Sequence, residues 1–115
     1  YCSDLHVLDD FKTNNIGSGL DSMSIIEIIE SSASFYNGRL TYLSLSNKDI
    51  YFVPLSISNL DSLETLYLNN NNIITLDSSI CNINNICEIF IQNNKLCEEY
   101  HFQCIDHWEP QQCYE

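Results

Sequence analysis

The sequence predicts a repeat solenoid in which short parallel strands form one sheet between two terminal caps. Three observations predict it: a 23-residue self-similarity, a period-two apolar alternation inside each copy, and six cysteines in 115 residues. Leu40, Leu43, Leu45, Ile50, Ile57 and Leu60 are matched 23 residues on by Leu63, Leu66, Leu68, Ile73, Ile80 and Ile83. A third copy opens with Ile86, Ile89, Ile91 and Leu96. Agreement at six aliphatic positions is too extensive to be accidental, and a period of this length is the mark of stacked units.

Within each copy the pattern LxxLxLxx alternates like a strand, with its aliphatic side turned inward. A return segment must then carry the chain back to start the next parallel strand. One such coil cannot bury its apolar side alone, so coils stack and their Leu and Ile columns share a core. Asn71 and Asn94 follow the strands of the second and third copies, where a buried amide would satisfy backbone groups left unpaired by the bend. Lys48 holds the equivalent place in the first copy and cannot accept a hydrogen bond. The chain must turn differently there, with the amino-terminal segment as the candidate cover.

The expected domain organisation is a single domain. Residues 1–39 form an amino-terminal cap, 40–62, 63–85 and 86–96 the repeats, and 97–115 a disulfide-containing cap. Leu5, Leu8 and Phe11 recur at three-residue spacing and predict a helix from Asp4 to Lys12. Asn14 to Gly19 reads as a loop. Ser24 to Ser31 is open: Glu27 stands three residues after a possible Ser24 cap, which favours a helix. Ile25, Ile26, Ile28 and Ile29 equally favour a strand.

The spacing resembles the leucine-rich-repeat superfamily, in coils such as LTYLSLSNKDIYFVPLSISNLDS and LETLYLNNNNIITLDSSICNINN. Pro54 with Ser56 and Ile57 is similar to the return segment of extracellular plant-type and bacterial members, although Leu76 and Asp77 replace Val53 and Pro54 in the next coil. CSDLHVLDDFK resembles their helical amino-terminal cap, FYNGRLTYLSLS their first coil, and NNKLCEEYHFQCIDHWEPQQC a cysteine-containing terminal cap. The resemblance implies a leucine-rich-repeat solenoid of α/β type, with a short parallel sheet on a concave face. It also implies a recognition function and disulfides in the carboxyl-terminal cap.

Cys81 and Cys104 are 23 residues apart. Stacking in neighbouring coils would place them roughly 5 Å apart, which suits a disulfide. Cys97 and Cys113 would then close the terminal cap. Cys2 and Cys87 remain, either free or joining neighbouring subunits.

Bulk properties narrow the function. Sixteen acidic residues face only Lys12, Arg39, Lys48 and Lys95, for a formal charge of −12. Phosphate backbones and anionic membrane surfaces need clustered Lys or Arg, so nucleic acid is not an expected partner. The acidity itself reads as solubility, or as a weak preference for cations. No apolar run approaches the roughly 20 residues that span a bilayer, so membrane insertion is not expected. The cysteines point to an oxidising compartment, hence a secreted or cell-surface protein whose signal peptide has been removed.

The expected binding surface is the outward side of the strands. It comprises Tyr42, Ser44, Tyr67, Asn70, Phe90 and Gln92, with Cys87 and Glu88 heading the third row. Tyr67 and Phe90 share a column, Ser44 continues it, and Tyr42 stands beside it. Rigid aromatic area among hydroxyls and amides suits a protein or a glycan, although Tyr and Phe also favour exposed strand positions for no functional reason. The alternative is a structural subunit whose partners are copies of itself, assembling end to end.

Catalysis has little footing. Gly-rich phosphate loops, HExxH and GxSxG are all absent, and His6, His101 and His107 fall in the caps. Cys97, His101, Cys104 and His107 spell Cx3HxxCxxH. That is an unusual zinc spacing inside a region where disulfides are expected, so neither a metal nor a cofactor is expected.

Overall fold

The computed structural model describes residues 2–83 and 87–113, with side chains from Asp4 onward. Helix α1 spans Cys2–Thr13, with Asp4 in its first turn and Lys12 in its last, each opposite in sign to the dipole end it sits on. It buries Val7, Leu8 and Phe11. Turns through residues 14–23 then lead to α2 (Ile25–Ser32).

A capping box decides the open segment in favour of a helix. The Glu27 N–H donates to Ser24 Oγ at 3.1 Å, and the Ser24 N–H donates to Glu27 Oε1 at 2.9 Å. Two otherwise orphaned donors are thereby satisfied. That local gain outweighs the small helix penalty of the isoleucines, and Ile28 is buried on the inner side.

Strand β1 (Ala33–Tyr36) leaves α2 directly and turns at Asn37–Gly38 into β2 (Arg39–Ser44). Both turn residues have positive φ, 52° and 78°. Two-residue hairpin turns require this, and Asn-Gly supplies it most readily. The pairing is antiparallel, from Ala33 opposite Leu43 to Tyr36 opposite Arg39.

Strands β3 (Thr65–Tyr67) and β4 (Glu88–Phe90) then add in parallel. Tyr42, Leu43 and Ser44 stand beside Thr65, Leu66 and Tyr67, which stand beside Glu88, Ile89 and Phe90. The 23-residue offset is therefore the register of the parallel strands. Beyond β4 the tail lies parallel at Phe90–His107 and Asn94–Gln111. The Ile91 N–H donates to His107 O at 3.0 Å, and the Asn93 N–H to Pro110 O at 2.7 Å.

The expected fold class requires correction. The chain is not a leucine-rich-repeat solenoid between two caps but a small α+β globule, 38 × 31 × 19 Å, whose described residues form two α-helices and one mixed four-stranded sheet. The antiparallel hairpin overturns the all-parallel expectation. Residues 33–36, assigned to a cap, supply a sheet strand, and 115 residues are too few for a repeat array with caps at both ends.

The core lies under the sheet's inner face. Leu43, Leu66 and Ile89 form one buried row, and Leu45, Leu68 and Ile91 the next. Val53, Ile57, Leu76 and Ile80 close it from the return segments. Ile86, expected to open the third copy, lies outside the described residues.

Buried amides hold the turns. Asn71 Oδ1 accepts from the N–H groups of Lys48 and Ile50, both at 3.0 Å, while Nδ2 donates to the carbonyls of Leu45, Leu68 and Asn69. Asn94 repeats the arrangement with Ile73 N–H and the carbonyls of Leu68, Ile91 and Gln92. Gln111 ends the series, donating to Ile91 O and Trp108 O, each at 2.7 Å.

At Lys48 the turn keeps the left-handed residue of the other two, at Asn47 as at Asn70 and Asn93, adds another at Asp49 with φ 55°, and meets the amino-terminal segment. The Gly19 N–H donates to Lys48 O at 2.6 Å. A Cβ at Gly19 would come within 3.1 Å of that oxygen, so a bare backbone permits the approach. Asn15, fully buried, accepts from the N–H groups of Tyr51 and Phe52 through Oδ1.

Candidate functional site

The short strands leave every second side chain on the outer face of the sheet, and the parallel register lines those residues up across strands. Ser44, Tyr67 and Phe90 therefore fall in one column. Tyr67 and Phe90 stack with ring centroids 4.5 Å apart and planes 16° apart. Tyr42 meets Tyr67 edge-on at 5.8 Å. The tail adds a fourth ring: His107 stacks on Phe90 at 4.0 Å, with planes 5° apart. Its Nε2 lies 2.7 Å from Glu88 Oε2, so the carboxylate orients the imidazole.

The structure thus brings together Tyr42, Ser44, Tyr67 and Phe90, and adds His107, which the sequence reading assigned to a cap. No short-range signal marks His107, because it lies 17 positions from Phe90 and outside the 23-residue offset. One row along, Ser46 Oγ and Asn69 Oδ1 are bonded at 2.7 Å, and Gln92 stands half-buried in the same line. Asn70 is exposed in left-handed backbone at φ 61°, and its N–H donates to Gln92 O at 2.9 Å.

Charge on this face is acidic. Glu64 and Glu88 are exposed, and the Arg39 guanidinium is held by Asp4 at 3.0 and 3.1 Å. Burial alone would raise the Asp4 carboxyl. The Arg39 hydrogen bonds, the Leu40 N–H at 2.8 Å and the Arg39 charge reverse that and leave it below its ordinary value.

Cys87 does not share the outward face as expected. It is buried and free of any disulfide. Burial, and then the neighbouring Glu88 charge, push its thiol up to about 12. A thiol so protonated is a poor nucleophile, which works against a link through Cys87 to another subunit. The side chain of Cys2 lies outside the described residues.

Cys81 is bonded to Cys104, with Cα atoms 5.5 Å apart, and Cys97 to Cys113, at 4.4 Å. Both are the pairs expected from the sequence. They occupy the two thiols of the Cx3HxxCxxH stretch, and His101 stacks on Trp108 at 4.4 Å instead. Among the described residues no group of three or more His, Cys, Asp or Glu is placed to hold a metal ion. Among the same residues no helix is long and apolar enough to cross a membrane. The two disulfides are consistent with an extracellular setting.

No protein-family model matches the chain and no curated protein matches it, so the leucine-rich-repeat resemblance rests on the sequence pattern alone.

Proposed function

We propose that the protein is a secreted or cell-surface recognition module that binds a protein partner through the ring row Tyr42, Tyr67, Phe90 and His107. The observation that carries this reading is the unbroken row of ring contacts across the outer face, Tyr42 edge-on to Tyr67 and then Tyr67, Phe90 and His107 stacked. Pre-stacked aromatic side chains offer large contact area with little rotamer freedom left to lose on binding.

A protein suits the row better than a glycan. Both faces of Phe90 are covered, by Tyr67 and by His107. Sugar rings stack on open aromatic faces, whereas this row offers partners mostly ring edges. Exposed Glu64 and Glu88, in a chain of charge −12, favour a partner segment bearing Lys or Arg.

The test is a binding screen of the protein against extracellular proteins, run beside a Tyr67→Ala, Phe90→Ala variant shown to fold. A partner whose affinity falls about 100-fold or more in the variant, as loss of two hot spots produces, supports the reading. A partner bound equally well by both overturns it.

A second reading, a subunit that assembles with copies of itself, is favoured by one observation. Phe52, Val53, Leu55 and Leu76 line an open groove of about 240 Å³ together with Thr75 and Asp77, and Ile74 is 40% exposed. Light scattering separates the two: a monomer at high concentration removes self-assembly, and a Leu55→Asp-sensitive oligomer establishes it.

A further inference from the structure

Beside the ring row, where the turns follow the strands, lies a cleft of about 490 Å³ built from amides. Its floor is formed by Asn71, Asn94 and Gln111, whose amide groups are bonded to backbone as described above. The floor is therefore fixed before any ligand arrives. Its walls are Asn72, Asn93, Lys95, Pro110 and Gln112.

The walls keep hydrogen-bonding capacity in hand. Asn72 spends only one long contact, Nδ2 to Asp49 Oδ1 at 3.4 Å. Asn93 is exposed and held in left-handed backbone at φ 58°, with its N–H already given to Pro110 O. A tight turn thus fixes the backbone that carries this amide at the cleft.

The charge of the lining is unlike that of the chain. Sixteen acidic residues oppose four basic ones overall, yet the lining contains Lys95 and no carboxylate, with Asp49 reaching it only through Asn72 at 3.4 Å. Lys95 is thus the one charge among the residues that line the cleft. An apolar ligand finds only the Pro110 ring and side-chain stems. Each amide supplies donors and an acceptor together, which matches neighbouring hydroxyls that both give and take. Lys95 adds a point charge suited to one carboxylate.

We infer that the cleft formed by Asn72, Asn93, Lys95 and Gln112 is a second binding site, for a carboxylated sugar of the uronic-acid class. It shares no residue with the ring row, and neither assignment depends on the other.

The experiment titrates a uronic-acid trisaccharide into the isotope-labelled protein and follows the side-chain amide signals of Asn72, Asn93 and Gln112. Saturable shifts are expected at millimolar concentration. Lys95→Ala should weaken binding about 3- to 5-fold, the size of an exposed ion pair, and Lys95→Arg should retain it. A neutral hexose trisaccharide should bind more weakly, and acetate should give no saturable shift. The Tyr67→Ala, Phe90→Ala variant should bind the sugar unchanged. No saturable shift with the uronic acid, an equal response to acetate, or indifference to Lys95→Ala each overturns the site. A shift lost only in the ring variant moves the sugar to the ring row and overturns the cleft.

Discussion

Asn71 connects five backbone groups on two successive turns through one amide. Replacing it with Ala leaves those groups buried without partners, at about 1–3 kcal/mol for each that water cannot reach. Urea denaturation of Asn71→Ala should therefore show a loss of about 3 kcal/mol or more. A loss below about 1 kcal/mol would mean that water replaces the amide. The pattern marked Asn71 and Asn94 because an Asn recurring after a strand needs a buried role. Asn15 does comparable work for Tyr51 and Phe52 and was not legible, since its partners lie more than 30 positions away. Asp4 was equally hidden, buried on Arg39 and the Leu40 N–H. Its carboxyl lies below its ordinary value, so the unfolded chain takes up the proton first as pH falls. The Asp4 contribution is thus complete at neutral pH and is lost below about pH 4, as pH drops through the lowered folded value. Melting of Asp4→Asn beside the wild type should show the gap between them closing towards pH 2, and a constant gap would refute the assignment.

At the scale of elements, local chemistry competed with composition and won twice. The isoleucine-rich stretch at Ile25–Ser32 is a helix because Ser24 and Glu27 cap it reciprocally. Ser24→Ala should cost about 1 kcal/mol, the usual worth of such a cap, read as a lower thermal midpoint. An unchanged midpoint would assign the helix to its buried Ile28 instead. The hairpin at Asn37–Gly38 was the second case. Asn-Gly between apolar stretches is a strong turn signal, but it lies within residues 1–39, before the first coil, so the 23-residue period carries no trace of the antiparallel strand that it joins. Strands β2, β3 and β4 were legible because one offset aligns every inward Leu and Ile. The His107 lane was not, because the tail reaches β4 without that offset.

For the whole molecule, the two disulfides tie the return side and the tail to the sheet. Cys81–Cys104 closes a loop of sequence separation 23 and joins the second return segment to the carboxyl-terminal region. A Cys81→Ala, Cys104→Ala variant should lose about 3 kcal/mol, by the loop-closure entropy restored to the unfolded chain. Guanidinium titration gives the number, and a loss near zero would show that packing of Trp108 and Ile105 suffices to seat the tail. The ring row depends on that seating. Its fourth member, His107, comes from the tail, while the other three come from β2, β3 and β4. Displacing the tail would therefore shorten the proposed contact surface while leaving the hairpin intact.

The bridge from Cys97 to Cys113 also makes the tail a shielded clasp. Tension applied to the chain beyond Cys113 crosses the sulfurs into Cys97 and bypasses the lane at residues 107–112, which lies inside the closed loop. With the bridge reduced, the same pull would peel that lane from β4 first. It would pay out about 30 Å of slack, the extended length of the stretch from Cys104 to Cys113, before the Cys81–Cys104 bridge took up the load. Redox state thus sets whether the fourth ring of the row is held against mechanical stress or is the first part to be stripped away.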